Sequence, residues 1–143
     1  MKVSEECVLK GLIFADPEIS RSAFSELTVA ERMLNEAKDT LKKGNYIASI
    51  LSGYVAIFRS ARAVLFTLGF REKSHFCLFE FLIENVQDKS LVELLKTANM
   101  VRITRHKLQY SDAVFSRKTA EFVVKVASDL YSKVAQQVRA PDS

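Results

Sequence analysis

Apolar positions recur along this chain at alternating three- and four-residue intervals, the spacing of a helix face turned toward a core. Ala23, Leu27, Ala30, Leu34, Ala37 and Leu41 keep that rhythm without a break. It predicts one long helix starting at Asp16-Pro17-Glu18, where Asp supplies an N-cap acceptor and Pro fits the first turn, open to interruption near Arg21. Gly44 stands where a left-handed C-cap would end it. A second helix, about Tyr46 to Leu68, carries two different faces. Tyr46, Ile47, Ile50, Leu51, Tyr54, Ile57, Phe58, Ala61, Leu65 and Leu68 form a broad apolar side. Opposite them Ala48, Ser49, Ser52, Gly53, Ala56, Ser60 and Ala63 form a stripe of small residues. Such a stripe lets another helix come close, within the chain or across a dimer, and gives a reason for Gly53, which costs a helix interior about 1 kcal/mol against Ala.

The remaining segments carry shorter signals. Val3 to Phe14 reads as a short helix or an arm. Ser74 is placed to cap a helix bearing Phe76, Phe79, Leu82 and Ile83, and Ser90 to cap the next. A break is expected at Tyr110-Ser111-Asp112, before a last helix from about Ser116 to Val138 whose stripe is Ala120, Val123, Ala127, Leu130 and Val134. No strand-like alternation of useful length is visible. The expectation is an all-α fold, an up-and-down antiparallel bundle of four to five helices. Residues 1–15 are assigned to an N-terminal arm or short helix, 16–140 to the bundle, and 141–143 to a frayed tail.

Composition narrows the class of protein. With 143 residues the chain is one domain, and 48% hydrophobic against 27% charged residues places it among globular proteins rather than disordered ones. A net charge of +4, spread without blocks, permits anionic partners without requiring them. Cys7 and Cys77 lack paired spacing and read as free thiols of a reducing compartment. With His75 and His106 as the only histidines, no Cys/His zinc cluster can be assembled from one chain, so neither metal nor cofactor is expected. The N-terminus Met1-Lys2-Val3-Ser4-Glu5-Glu6 is acidic where a signal peptide would be basic and then apolar. The most apolar region, Ala61 to Phe70, is interrupted by Arg62 and falls short of a membrane span. A cytoplasmic protein without membrane contact is the expectation.

One segment does not fit a plain bundle. Leu91, Leu94, Leu95, Ala98, Val101 and Leu108 share an apolar arc, and Arg102 and Arg105 fall inside it. A guanidinium keeps its proton, so an inward-facing arginine is costly unless a partner waits there. Basic residues also complement a helix C-terminus, and long arginine side chains can snorkel outward. A cleft, an interface and a purely structural role therefore all remain open for this face.

Three passages together resemble the HEPN domain family, small helical proteins of archaea and bacteria. Gly53-Tyr54-Val55-Ala56-Ile57-Phe58 through Ala61-Arg62-Ala63-Val64-Leu65 resembles its second-helix pattern, a tyrosine-containing turn before an alanine-rich stretch. Leu68-Gly69-Phe70 through Ser74-His75 is similar to the following loop, which in one branch ends in Ser-His. Arg105-His106-Lys107-Leu108-Gln109-Tyr110 lies where the family has a basic motif, an arginine followed several residues later by histidine. The resemblance runs from about Ala23 to Val138. It implies a homodimer whose Arg and His face each other across a cleft and, in active members, cut RNA without metal. It also implies toxins held in check by a minimal nucleotidyltransferase partner, or members that bind nucleotides or mediate assembly.

The chain departs from that pattern at the decisive place. Tyr110 stands where an active member has its histidine, and a phenol near pKa 10 is a poor base, though it can donate to a phosphate. Arg105 and Arg102 are candidate phosphate ligands; the alternatives are an interface salt bridge for Arg105 and a pairing with Glu93 or Asp112 for Arg102. Tyr110 is a cleft residue or a helix-end packing residue. His106 is the candidate base or a solvated histidine, and His75 a site residue or a capping and loop-packing one. Tyr54 reads by default as core. The function expected is a homodimeric RNA- or nucleotide-binding module with a basic cleft lined by Arg102, Arg105, Tyr110 and His75, paired with a nucleotidyltransferase in a toxin-antitoxin-like system. The alternatives are a metal-independent endoribonuclease toxin using Arg105 with His106 or His75, and an interaction protein without ligand.

Overall fold

The computed structural model describes residues 1–109, with side chains through His106, and 115–138. Its elements are α1 (Val3–Leu9), β1 (Ile13–Ala15), a 3-10 turn (Pro17–Ser22), α2 (Ala23–Lys42), α3 (Tyr46–Thr67), β2 (Phe70–Glu72), α4 (His75–Asn85), α5 (Lys89–Gln109) and α6 (Arg117–Ala135). Helices α2, α3, α5 and α6 run up and down as the bundle. Tyr131 donates to Glu31 across α6 and α2, and Lys133 pairs with Asp88 at the opposite end from the α5–α6 connection. Gly44 takes a φ of 77° and closes α2, as its position in the sequence predicts.

Helix α3 sits in the middle, packed against α2, α5 and α6. Its small-residue stripe is the more completely buried of its two faces: Ser49, Gly53, Ala56, Ser60 and Ala63 are all buried, whereas Ile47, Leu51 and Leu68 on the broad side are exposed. A Cβ added at Gly53 would stand 2.7 Å from Cγ1 of Val123 on α6. Glycine is there because the α6 backbone and its valine occupy the space a side chain needs. Among the described helices, Tyr46–Thr67 is long and apolar enough to cross a membrane, but 67% of its apolar window is buried inside the fold, as a central helix requires.

Several local expectations are corrected. Cys7 and Cys77 are not free thiols but a disulfide, with Cα atoms 5.8 Å apart, tying α1 to the first turn of α4. Both are buried, and their 70-residue separation hides the pairing from any spacing rule. A small antiparallel ladder, missed because each strand is three residues long, pairs Ile13 with Glu72, Phe14 with Arg71 and Ala15 with Phe70. Asp16 does not cap: its side chain pairs with Arg71 at 3.7 Å, and the helical start is the 3-10 turn before α2. Ser90 does not cap α5. Asp88 does, accepting from the Ser90 hydroxyl and the Ser90 and Leu91 amides, and these bonds hold its carboxyl down at about 2. Ser74 and Ser116 do cap their helices, accepting from the amides of Cys77 and Thr119.

Two outcomes test this packing. Gly53→Ala gains helix propensity but overpacks Val123, for a net loss of about 1 kcal/mol or more in chemical denaturation. Adding Val123→Ala recovers part of that loss, so the two substitutions are less than additive. Reduction of the disulfide lowers unfolding stability by about 2–4 kcal/mol. The check is a thiol-alkylation mass shift that appears only after reductant, paired with a denaturation curve under each condition.

Candidate functional site

Where α3, the β2–α4 corner and the second half of α5 meet, aromatic and basic side chains collect around one histidine. Tyr54, Phe58 and Arg62 lie four residues apart and so share one stripe of α3. His75 is the first residue of α4, brought there by Ser74, whose hydroxyl caps the helix, and by the β1–β2 ladder just before it. Tyr54 Oη lies 2.8 Å from His75 Nδ1, and the Phe58 ring stacks on the imidazole with centroids 3.9 Å apart. Arg62 lies 4.4 Å from the centre of the Phe58 ring, and donates to Glu72 through Nε and Nη2, the latter at 2.8 Å. Glu26 completes the ionic group, taking two hydrogen bonds from Arg59 and lying 3.7 Å from Arg62.

Helix α5 supplies the second side. Its buried line is Leu91, Leu95, Ala98 and Val101, and Arg102 and Arg105 follow it, each half-buried. Arg105 places its guanidinium 4.7 Å over the Tyr54 ring. Its Nε is buried without a hydrogen-bond partner among the described residues. Arg102 lies 5.5 Å over Phe76 and donates to Asn99 Oδ1 at 2.8 Å, not to Glu93, which pairs with Lys96. Among the described residues neither arginine has a carboxylate within ion-pair distance. Two fixed positive charges thus stand beside aromatic faces without a carboxylate partner among the described residues. Cation–π contact stabilises them in part, by about 0.5–2 kcal/mol each, but leaves the guanidinium edges open to an anion.

The electrostatics of the central pair follow. Burial pushes the Tyr54 phenol up from its ordinary value, and Arg105 and Arg102 oppose this only partly. Burial likewise holds the His75 imidazole below its ordinary value; Glu72 opposes that shift, and Arg62, Arg105 and Arg102 add to it. Both groups are therefore neutral near pH 7. Tyr54 Oη and His75 Nδ1 are within hydrogen-bond distance, and a phenol donating to Nδ1 corresponds to a neutral ring with its proton on Nε2.

The structure brings Arg102, Arg105 and His75 together at one place. His106 is exposed and lies one residue, about 100° of helix turn, round from Arg105. Tyr110 lies outside the described residues, as does Asp112. Reasoning from sequence missed Phe58, Arg62 and Glu72, and assigned Tyr54 to plain core. Tyr54 is buried, at 4% exposure, yet its hydroxyl serves His75. The available signal was the four-residue repeat Tyr54-Phe58-Arg62, an arginine interrupting the most apolar stretch of the chain. A separate cavity of about 340 Å³, lined by Val64, Leu68, Val86, Leu91 and Val138, lies at the other end of α3 and shares no residue with this cluster. Among the described residues no group of three or more His, Cys, Asp or Glu side chains could hold a metal.

Residues 26–137 match the family model described as HEPN domain, and the chain belongs to that family. No curated protein and no solved structure matches the chain. The match spans α3, α4, α5 and α6, and so contains every element that builds the cluster.

Nitrogen chemical shifts of the histidine rings test the Tyr54–His75 contact. In the native protein near pH 7 His75 is expected as the Nε2–H tautomer. Tyr54→Phe removes the donor to Nδ1 and converts the signal to a mixture of tautomers, at a stability cost of about 1 kcal/mol. An unchanged tautomer in Tyr54→Phe would show that this hydrogen bond does not set the ring.

Proposed function

We propose that the protein is a HEPN-family binding module that holds RNA or a nucleotide by its phosphate, in a basic cleft formed by Arg102, Arg105 and the Tyr54–His75 pair. One observation carries the reading. The Arg105 guanidinium is held over Tyr54 with a buried, unpartnered Nε and no carboxylate near it among the described residues. A buried charge-bearing donor left open is expensive unless an anion completes it, and a phosphate offers planar-fork acceptors in the right number. Arg102 extends the positive edge, and the exposed ring of Phe76 beside it offers a face on which a base can stack.

The homodimer belongs to the same proposal. Phe76, Met100 and Ile103 are exposed apolar residues flanking Arg102 and Arg105, so burial between two copies would enclose the cleft. The nucleotidyltransferase partner and the toxin-antitoxin setting rest on what the family resemblance implies, and Tyr110 belongs to the cleft on the same ground. A cytoplasmic setting accords with an RNA ligand, but the Cys7–Cys77 disulfide removes the free-thiol argument for it.

Binding of a fluorescent single-stranded RNA oligonucleotide, measured across a salt series, is the direct test. Arg105→Ala is expected to lower affinity at least about tenfold and to reduce the salt slope by about one. Loss of the dimer in Arg105→Ala with unchanged RNA affinity would instead make the arginine a bridge between subunits. The enzymatic alternative is favoured by one feature, an exposed His75 beside two guanidinium groups, where a phosphate would meet cationic donors and an imidazole together. Incubation of total RNA with the protein in EDTA decides it. Intact RNA retires the ribonuclease; cleavage lost in His75→Gln or His106→Gln establishes it and names the base.

A further inference from the structure

His75 is held by two residues of α3, which a third supports in turn. Phe58 lies flat against the imidazole at 3.9 Å with ring planes 26° apart, and Tyr54 holds Nδ1. Arg62 supports Phe58 and the strand before His75. It covers Phe58 at 4.4 Å and binds Glu72, three residues before His75, through two nitrogens. The Glu72 side chain is only 4% exposed, and β2 is tied to β1 on its other side, so the corner entering α4 is fixed at both the strand and the helix. The one ring atom left without a partner among the described residues is Nε2.

We infer that Arg62 is a positioning residue for His75: through Phe58 beneath the ring and Glu72 at the strand before it, Arg62 sets the orientation in which Nε2 is presented to a ligand. The inference rests on the proposed binding role of the cleft for its functional meaning, but not for its geometry. An arginine is needed because a planar fork can bind a carboxylate with Nε and Nη2 while its face covers an aromatic ring; a lysine ammonium cannot do both at once. Glu72 is the nearer counter-charge for Arg62, half-buried against Phe58 and Phe66, with Glu26 more distant at 3.7 Å.

The charged and titratable groups around His75 are Tyr54 and Arg62 from α3, Glu72 from β2, and Arg102 and Arg105 from α5. Arg62 and Glu72 act on the imidazole with opposite sign, so removing either charge shifts the His75 pKa whether or not it positions the ring, and the ring tautomer is the readout that separates the two. In nitrogen NMR of the full chain, with His106→Gln used to isolate the signal, Arg62→Lys keeps the charge but loses the planar fork over Phe58 and Glu72, and is expected to convert the His75 Nε2–H signal to a mixture of tautomers. An unchanged tautomer in Arg62→Lys overturns the inference. If Arg62→Lys fails to fold, Phe58→Leu decides, since it keeps the ion pair but removes the ring: positioning requires a mixed tautomer, and an unchanged imidazole refutes it. The RNA-binding measurement is kept separate. A mixed tautomer in a protein that binds no RNA sinks the proposed function and leaves the positioning role intact.

Discussion

The close contact of α3 with α6 is the constraint from which the rest of the molecule follows. An added Cβ at Gly53 would lie 2.7 Å from a Val123 methyl, so these two helices touch almost backbone to side chain. That proximity lets one central helix be covered by small residues on one side and devote its opposite side to other work. If α3 had to bury large side chains all round, the Tyr54-Phe58-Arg62 stripe would be consumed by core packing. Instead it faces α4 and α5, where it meets His75 and the two arginines. Stability and site are two faces of the same helix, and the tight side makes room for the polar one.

The polar side is a stack of charges and rings in which, among the described residues, the arginines of α3 and β2 are answered by carboxylates and those of α5 are not. Arg59 and Arg62 have Glu26 and Glu72; Arg71 has Asp16. Arg102 and Arg105 have an amide and two aromatic faces instead. The asymmetry matters because a fold that needed these arginines only for packing would be cheaper with Leu or Met at the same positions.

How much of this the sequence disclosed depends on the range of the interaction. Helices α2, α3 and α6, the Gly44 terminus, the cap at Ser74 and the small stripe of α3 were all legible, since each is written within one or two turns of chain. The inward placement of Arg102 and Arg105 was legible for the same reason. The disulfide was not, because Cys7 and Cys77 meet only after α1 folds back onto α4, and the expectation of free thiols came from spacing alone. The β1–β2 ladder escaped because three residues are too few to show a period. Tyr54 was misjudged for a subtler reason. Its position is that of a core residue and it is indeed buried; only the arrival of His75 from a distant segment gives its hydroxyl a task.

That arrival bears on how the family's basic motif can be replaced. The resemblance places a histidine several residues after Arg105, on the same helix, and this chain has Tyr110 there instead. The imidazole beside Arg105 comes from α4, held by Tyr54, Phe58, Arg62 and Glu72 rather than by helix periodicity. A histidine supplied from another element needs its own scaffold, because no helix ladder fixes its direction relative to the arginine. The clamp around His75 has the parts such a scaffold requires: a flat support, a hydrogen bond that selects the tautomer, and a buried ion pair that fixes the corner. A histidine that merely packed a loop would need one of these at most.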